Sequence, residues 1–206
     1  MKLTVTTFLS VDGVMQGPGG AEEDPSGGFE QGGWVVPHFD DELGAFMNSV
    51  VQRADALLLG RGTYEIFAGS WGEMKDSDDV IAVSFNKVPK HVASTTLDTV
   101  EWDGSRLIEG DVAQAVSELK AAEGGELQVH GSPGLARSLT EHGLVDEYNL
   151  ITFPVVLGKG KRLFSEASRP TGLKAVSQAT TATGVRIDVW EASGDPKLGH
   201  VSDLGY

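Results

Sequence analysis

The amino-acid sequence predicts an α/β protein whose sheet is mostly parallel and ends in an antiparallel C-terminal hairpin. Three observations carry that expectation. Strand-like apolar runs alternate with helix-like amphipathic stretches along the chain, the pattern of parallel strands joined by helices. Two of the runs, in Ala56-Leu57-Leu58-Leu59 and Leu127-Gln128-Val129-His130, end in glycine and pass directly into Gly60-Arg61-Gly62-Thr63-Tyr64 and Gly131-Ser132-Pro133-Gly134-Leu135-Ala136, residues able to open a helix. Near the C-terminus, two further strand-like runs flank the turn Ala182-Thr183-Gly184.

Taken in order, residues 2–9 alternate like a strand that ends at Ser10-Val11-Asp12-Gly13. Gln16 to Gly33 is crowded with glycine, proline and acids and reads as a long loop. Trp34 and Pro37 lead into a helix over about 39–53. Its Leu43, Phe46, Met47 and Val50 recur at helical spacing, and Asp40, Asp41 and Glu42 suit its positive first turn. Ala54 to Gly60 is a buried strand, followed by a short helix through about Phe67. Val80 to Phe85 is open between a strand and a helix stopped before Pro89. Lys90 to Ser94 and Glu101 to Ile108 read as strands, and Asp111 caps a helix with Val112, Ala115, Val116 and Leu119 on one face. Leu127 to His130 is a strand, and 133–142 a helix with Ser132 as N-cap and Pro133 at its first position. Val145 to Val156 is a long strand, and 173–180 with 184–192 make the hairpin. The expected organisation is one domain over 1–192 and a polar, loosely held tail over 193–206.

Composition narrows the function. A formal charge of −14 argues against nucleic acid and anionic membranes as partners, because a polyanion is bound by basic clusters. With no cysteine there is no disulfide, thiolate nucleophile or thiolate zinc site, and five histidines without HxxH or HExxH spacing give no support to a metal site. The N-terminus lacks the pattern of a signal peptide and no run is long enough to span a membrane, so a cytoplasmic protein is expected.

The two glycine junctions point to a ligand. At the carboxyl edge of a sheet they place helix N-termini, whose unpaired N–H groups and dipole favour phosphate. Two junctions about 70 residues apart suggest a long phosphate-bearing body, a dinucleotide first of all.

A series of motifs in this order resembles a known family. They are Ser10-Val11-Asp12-Gly13 with Gln16-Gly17-Pro18-Gly19-Gly20, Gly27-Gly28-Phe29 with Gly32-Gly33-Trp34, and Leu58-Leu59-Gly60-Arg61-Gly62-Thr63-Tyr64-Glu65. Pro89-Lys90-His91-Val92-Ala93-Ser94, Gly131-Ser132-Pro133-Gly134-Leu135 and Pro154-Val155-Val156-Leu157-Gly158-Lys159-Gly160 complete it. From Lys2 to about Ala192 the chain resembles a stand-alone dihydrofolate-reductase-like protein, related to the reductase domain of the riboflavin-pathway deaminase-reductase. The resemblance implies a three-layer fold and an NADPH site built from Gly60, Arg61, Thr63, Ser94, Thr95, Gly131, Ser132, Pro133, Gly134, Leu135 and Ala136. Arg61 and Thr63 would hold the pyrophosphate and 2′-phosphate region, and Ser94 and Thr95 the adenine ribose. Asp12 and His130 are the implied proton-handling residues, with Ser10, Gln16 and Trp34 at the substrate end.

Three departures accompany the resemblance. Thr95 stands where relatives often carry arginine, which weakens the preference for NADPH over NADH. His130 stands where the pathway enzyme has a substrate-binding glutamate, and Val14-Met15-Gln16 lacks the basic residue that follows the same turn there. The expected activity is NADPH-dependent hydride transfer to a C=N or C=O carbon of a small heterocyclic or sugar-derived substrate. The riboflavin-pathway reduction and an NADP-binding module without turnover are the alternatives.

Each candidate also has a structural reading. The structural reading of Asp12 is a turn with Gly13, of His130 a satisfied core histidine, of Trp34 and Phe29 anchors of the loop, and of Lys159 and Lys161 a solvated turn. Asp40, Asp41 and Glu42 are either a helix start or the site of a substrate-facing carboxylate. The 16–33 loop is expected to be mobile and to close over substrate. A homodimer is expected from pairing of strand 145–156 and the hairpin across a two-fold axis.

Overall fold

The computed structural model describes residues 1–164, 166 and 168–204, so the last two residues of the expected tail lie outside it. Its strands are β1 (Lys2–Ser10), β2 (Ala54–Gly60), β3 (Lys90–Ala93), β4 (Ser105–Leu107), β5 (Glu126–His130), β6 (Glu147–Phe153), β7 (Leu173–Thr180) and β8 (Arg186–Ala192). They form one sheet in the order β4-β3-β2-β5-β1-β6-β8-β7. From β4 to β6 every neighbouring pair is parallel, and β8 runs antiparallel to both β6 and β7.

Five helices cover the two faces: α1 (Asp41–Val51), α2 (Arg61–Gly69), α3 (Val80–Lys87), α4 (Val112–Ala121) and α5 (Pro133–Glu141). Alternate residues of the strands point to opposite faces. Leu3, Val5, Leu58, Leu127 and Val129 pack against Val116 of α4 and Leu135, Ala136 and Leu139 of α5. On the other face, Ile151 and Phe153 pack against Leu43 and Met47 of α1, while Leu57 and Leu59 meet Tyr64 and Phe85. The result is the expected three-layer α/β arrangement, with the hairpin at one end.

The ambiguous segment 80–85 is helical. Asp79 caps it by accepting the Ala82 N–H at 2.8 Å, and Pro89 stops its continuation. The expected strand over 101–108 shrinks to Ser105–Leu107. The strand expected over 145–156 ends at Phe153, where Pro154 removes a ladder donor. The proposed pairing of 145–156 across a two-fold axis is not available, because β6 has β1 on one side and β8 on the other. The free edge at that end of the sheet belongs to β7, all eight of whose residues are exposed.

Candidate cofactor and substrate site

The carboxyl ends of β1, β2, β3, β5 and β6 share one edge of the sheet. There β5 stops at His130, opposite Thr6, while β1 runs on to Ser10 and β2 to Gly60. A notch therefore opens between β1 and β2, where the chain order reverses direction along the sheet. Ligands of open α/β sheets bind at such a place. The helices α2 and α5 start on its rim.

Both glycine junctions meet there. The Gly60 N–H donates to Ser132 Oγ at 3.0 Å, and Ser132 Oγ lies 2.8 Å from Thr63 Oγ1. The Ser132 N–H also donates to Thr63 Oγ1, at 3.2 Å. Ser132 has φ 52°, and among the described residues it is the sole non-glycine with a positive φ. That left-handed conformation is strained for serine and persists where surrounding bonds impose it. Ser132 precedes the α5 helix, as expected, but its side chain caps the other junction rather than its own helix.

The helix starts differ in a way that matters. Asp40, Asp79 and Asp111 cap α1, α3 and α4, each carboxylate accepting the backbone N–H three residues on, at 2.8–2.9 Å. Neither α2 nor α5 has a side-chain cap. A Cβ at Gly62 or Gly134 would meet no atom within 4 Å. Open backbone, uncapped N–H groups and two helix dipoles are the features a phosphate requires, so the residues present fit a phosphate-bearing cofactor. Leu135 and Ala136 turn their side chains into the core, and the Ala136 N–H is spent on the Ser132 carbonyl at 2.8 Å. Ala136 therefore offers a ligand no group of its own, contrary to the expectation from sequence.

Arg61 extends from α2 across the edge. Its Nε is 2.9 Å from Glu65 Oε1, and its Nη1 donates to Thr96 Oγ1 at 2.7 Å, tying the helix to the loop after β3. Ser94 Oγ shapes that loop by accepting the N–H groups of Thr96 and Leu97 at 3.1 and 3.0 Å, and leaves Thr95 exposed. Arg61, Ser94 and Thr95 are thus brought to one side of the notch.

At the other side, Asp12 is a clamp. Its carboxylate accepts the N–H groups of Leu157 (3.0 Å) and Gly158 (2.8 Å) and the Ser10 hydroxyl (2.7 Å), and pairs with Arg162 at 3.2 Å. The Leu157 N–H above all, with the Ser10 and Gly158 bonds, holds the carboxyl well below the usual carboxylate range. It stays ionised and has no proton to give. Ser10 is spent in the same turn, since its Oγ also accepts the Val14 N–H at 2.9 Å.

The expected mobile lid is stitched down. Gln16, 3% exposed, donates from Nε2 to the carbonyls of Asp24 and Ser26, both at 2.9 Å, and accepts the Lys161 N–H at 3.0 Å. Lys161 pairs with Asp24 at 2.6 Å and Lys159 reaches the Gly28 carbonyl at 3.1 Å. Trp34 is buried, bonds the Gln16 carbonyl at 2.9 Å and meets Phe153 edge-on at 5.4 Å; Phe29 is buried with it. Gln16 and Trp34 form the wall's framework rather than a movable cover.

His130 also departs from expectation. It is 5% exposed, its ring lies 5.1 Å from that of Phe85, and burial pushes its pKa down to about 4. A neutral ring at physiological pH is no acid. Asp40 takes the helix-start reading: besides capping α1 it receives the Thr183 hydroxyl at 2.8 Å.

The sequence reading missed a polar row. Thr6 and Asn149 stand beside His130 in register, and Gln128 lies one turn of the pleat below, all buried. The signal was present: strands buried on both faces are ordinarily apolar throughout, yet β1 and β5 alternate apolar with polar residues. Cavities of about 110 Å³ beside Tyr148 and about 290 Å³ between His91 and α4 are lined by none of the candidate-site residues. Among the described residues no three metal-ligating side chains cluster, and no helix is long and apolar enough to cross a membrane.

Comparison with known proteins agrees with this geometry. The family model for the RibD C-terminal domain matches residues 1–187. The uncharacterized protein YyaP of Bacillus subtilis (strain 168) is 26% identical over 199 residues, covering 94% of this chain and 96% of that protein. A protein assigned to riboflavin biosynthesis in Shewanella sp. PV-4 has a similar structure, with TM-score 0.65 and 20% identity over 94% of this chain and 99% of that one. Dihydrofolate reductase from Enterococcus faecalis, solved with NADP(H), superposes with TM-score 0.58 and 12% identity, over 93% and 96% of the two chains.

Proposed function

Because the chain belongs to the RibD C-terminal domain family, we propose that it is an NADPH-dependent reductase working in the cytoplasm on a small heterocyclic or sugar-derived C=N or C=O compound. The observation that carries this reading is the pair of uncapped helices meeting at the Ser132–Thr63 contact, beside three helices that are all capped by aspartate. The N–H groups of Gly62, Gly134 and Leu135 with the Thr63 hydroxyl would hold the pyrophosphate, Arg61 the 2′-phosphate, and Ser94 and Thr95 the ribose. Bound there, NADPH supplies the hydride. The chain's own part is to orient the two carbons and to exclude water behind the fixed Trp34 and Phe29 wall. The accompanying proton comes from solvent, because Asp12 is held ionised and His130 neutral.

The riboflavin-pathway substrate is disfavoured. It carries a ribose phosphate, and Lys159, Lys161 and Arg162, the cations at this end, are each committed to Gly28, Asp24 or Asp12. A cofactor-binding module without turnover is the second reading, favoured by the absence of a proton donor at Asp12 and His130. Tight NADPH binding with no oxidation across a substrate panel would select it. We also propose a homodimer formed through the exposed β7 edge, since an edge strand can pair with its own copy about a two-fold axis.

The deciding experiment is a fluorescence titration of wild type and Arg61→Ala with NADPH and NADH. Saturable NADPH binding that weakens in the variant supports the reading. No binding of either nucleotide to the folded protein ends it.

A further inference from the structure

Gln128 is fully buried on β5, and its side-chain amide has one possible orientation. Nε2 donates to the Val50 carbonyl at the end of α1 and to Glu126 Oε2, each at 2.8 Å. Glu126 is itself paired with Arg53, 2.8 Å away. A carbonyl and a carboxylate can only accept, so the amide nitrogen must face them and the amide oxygen must face the other way.

That oxygen lies 3.0 Å from His130 Nε2. Since an amide oxygen can only accept, Nε2 carries the proton. The ring packs beside Phe85 at 5.1 Å and Phe67 at 6.5 Å, and this burial disfavours a second ring proton. The ring is therefore neutral, and Nδ1 presents a lone pair with no partner among the described residues. The place of that lone pair is notable. His130 is the last residue of β5, directly below the notch, beside Thr6 in register. Beyond Thr6, Asn149 donates to Thr6 Oγ1 at 2.9 Å while its own Oδ1 is buried without a partner.

We propose that Gln128 is a positioning residue that fixes His130 as a hydrogen-bond acceptor, through Nδ1, for an N–H or O–H group of the substrate. The chain Arg53–Glu126–Gln128–His130 runs from the opposite end of the sheet to the notch and sets the polarity of its floor. The substrate class follows. A neutral ring with an N–H donor, such as a cyclic amide or amidine, satisfies Nδ1, whereas a carboxylate or phosphate would meet a lone pair. The identity of the ligand rests on the reductase reading; the tautomer does not.

The test uses the full chain labelled with ¹⁵N-histidine, recording two-bond imidazole correlations from pH 5.5 to 8, with His130 assigned by loss of its signals in His130→Gln. The neutral Nε2–H form is expected throughout in wild type. Gln128→Met should lose that single-tautomer signature. Gln128→Leu, which also removes the amide oxygen, reads the same link if Gln128→Met does not fold. An Nδ1–H form or a cationic ring in wild type at pH 7 overturns the inference. In a second arm, 2-piperidone and N-methyl-2-piperidone are added separately, with and without NADPH. A shift of the Nδ1 resonance with the N–H lactam alone supports the contact; a shift with both or with neither overturns it. Failure of NADPH to bind, with the tautomer and the lactam shift intact, removes the reductase reading and leaves the acceptor assignment standing.

Discussion

The side-chain oxygens of Ser132 and Thr63 lie 2.8 Å apart and join two strand–helix junctions that are distant in the chain. The Gly60 N–H feeds Ser132 Oγ, whose proton goes to Thr63 Oγ1, which leaves the Thr63 hydroxyl proton without an acceptor among the described residues. Aligned donors polarise one another, so the chain ends in a strengthened donor at the notch.

Ser132 should respond to substitution in an order set by its φ of 52°. Ser132→Ala loses both hydroxyl bonds and keeps the strain, for a loss of about 1–3 kcal/mol. Ser132→Gly loses the same bonds but relieves the left-handed conformation, so it should be the more stable of the two. Urea unfolding ranks them, and the reverse order would contradict the strained-bridge account.

Arg61→Ala should weaken NADPH by about 10-fold or more and leave NADH nearly unchanged, since only the former offers a 2′-phosphate. Glu65→Gln removes the carboxylate now 2.9 Å from Arg61 Nε, freeing the guanidinium, and should tighten NADPH. Nucleotide fluorescence titrations at fixed salt measure both.

Stability should fall on acidification between about pH 6.5 and 4. His91 and His130 each have their pKa lowered from 6.5 to about 4, mainly by burial, so in that window the unfolded chain binds more protons than the folded one. Their contribution is complete above pH 6.5 and lost toward pH 4, at an upper limit of about 3 kcal/mol each. On the alkaline side, buried Lys90 has its pKa lowered from 10.5 to about 8, so stability should rise between those values. Lys90→Met should flatten the alkaline limb, and urea midpoints at a series of pH values show whether it does.

Asp12→Asn separates a clamp from a proton donor. As a clamp, it should cost about 1–3 kcal/mol and speed proteolysis near residues 157–162, because bonds to Leu157, Gly158 and Arg162 weaken. Turnover abolished at unchanged thermal stability would instead mark Asp12 as a catalytic residue.

Val176→Lys tests the dimer. Val176 is 56% exposed at an irregularity on β7, and Lys174 lies two residues before it on the same strand. A second charge on an unpaired edge should favour monomers. Light scattering at micromolar concentration should find dimers in wild type and monomers in the variant; a monomeric wild type removes the interface.

The elements and their order were legible because they depend on local pattern. The alternation in Lys2–Ser10, the helical spacing of Leu43, Met47 and Val50, and the glycine junctions at Gly60 and Gly131 needed no tertiary information. The roles within the site depended on partners far away in the chain. Asp12 looked available until Leu157 and Arg162 were seen to occupy it, and Gln16 looked like a substrate contact until Asp24, Ser26 and Lys161 were seen around it. The state of His130 was set by Gln128, two residues earlier, yet the sequence could not show which way the Gln128 amide faces.

The central place of β1 bears on how the protein is made. It is made well before its neighbours β5 and β6, with Lys2 opposite Glu126 and Ser10 opposite Phe153. At translation speeds of about 5–20 residues per second, it waits about 6–30 seconds for both. During that time Leu3, Val5 and Leu9 have neither neighbouring strand to pair beside. Contacts this distant along the chain also slow folding after release. The same arrangement that sets Ser10 and Thr6 beside the notch therefore leaves β1 unpaired until β6, the last of the parallel strands, is complete.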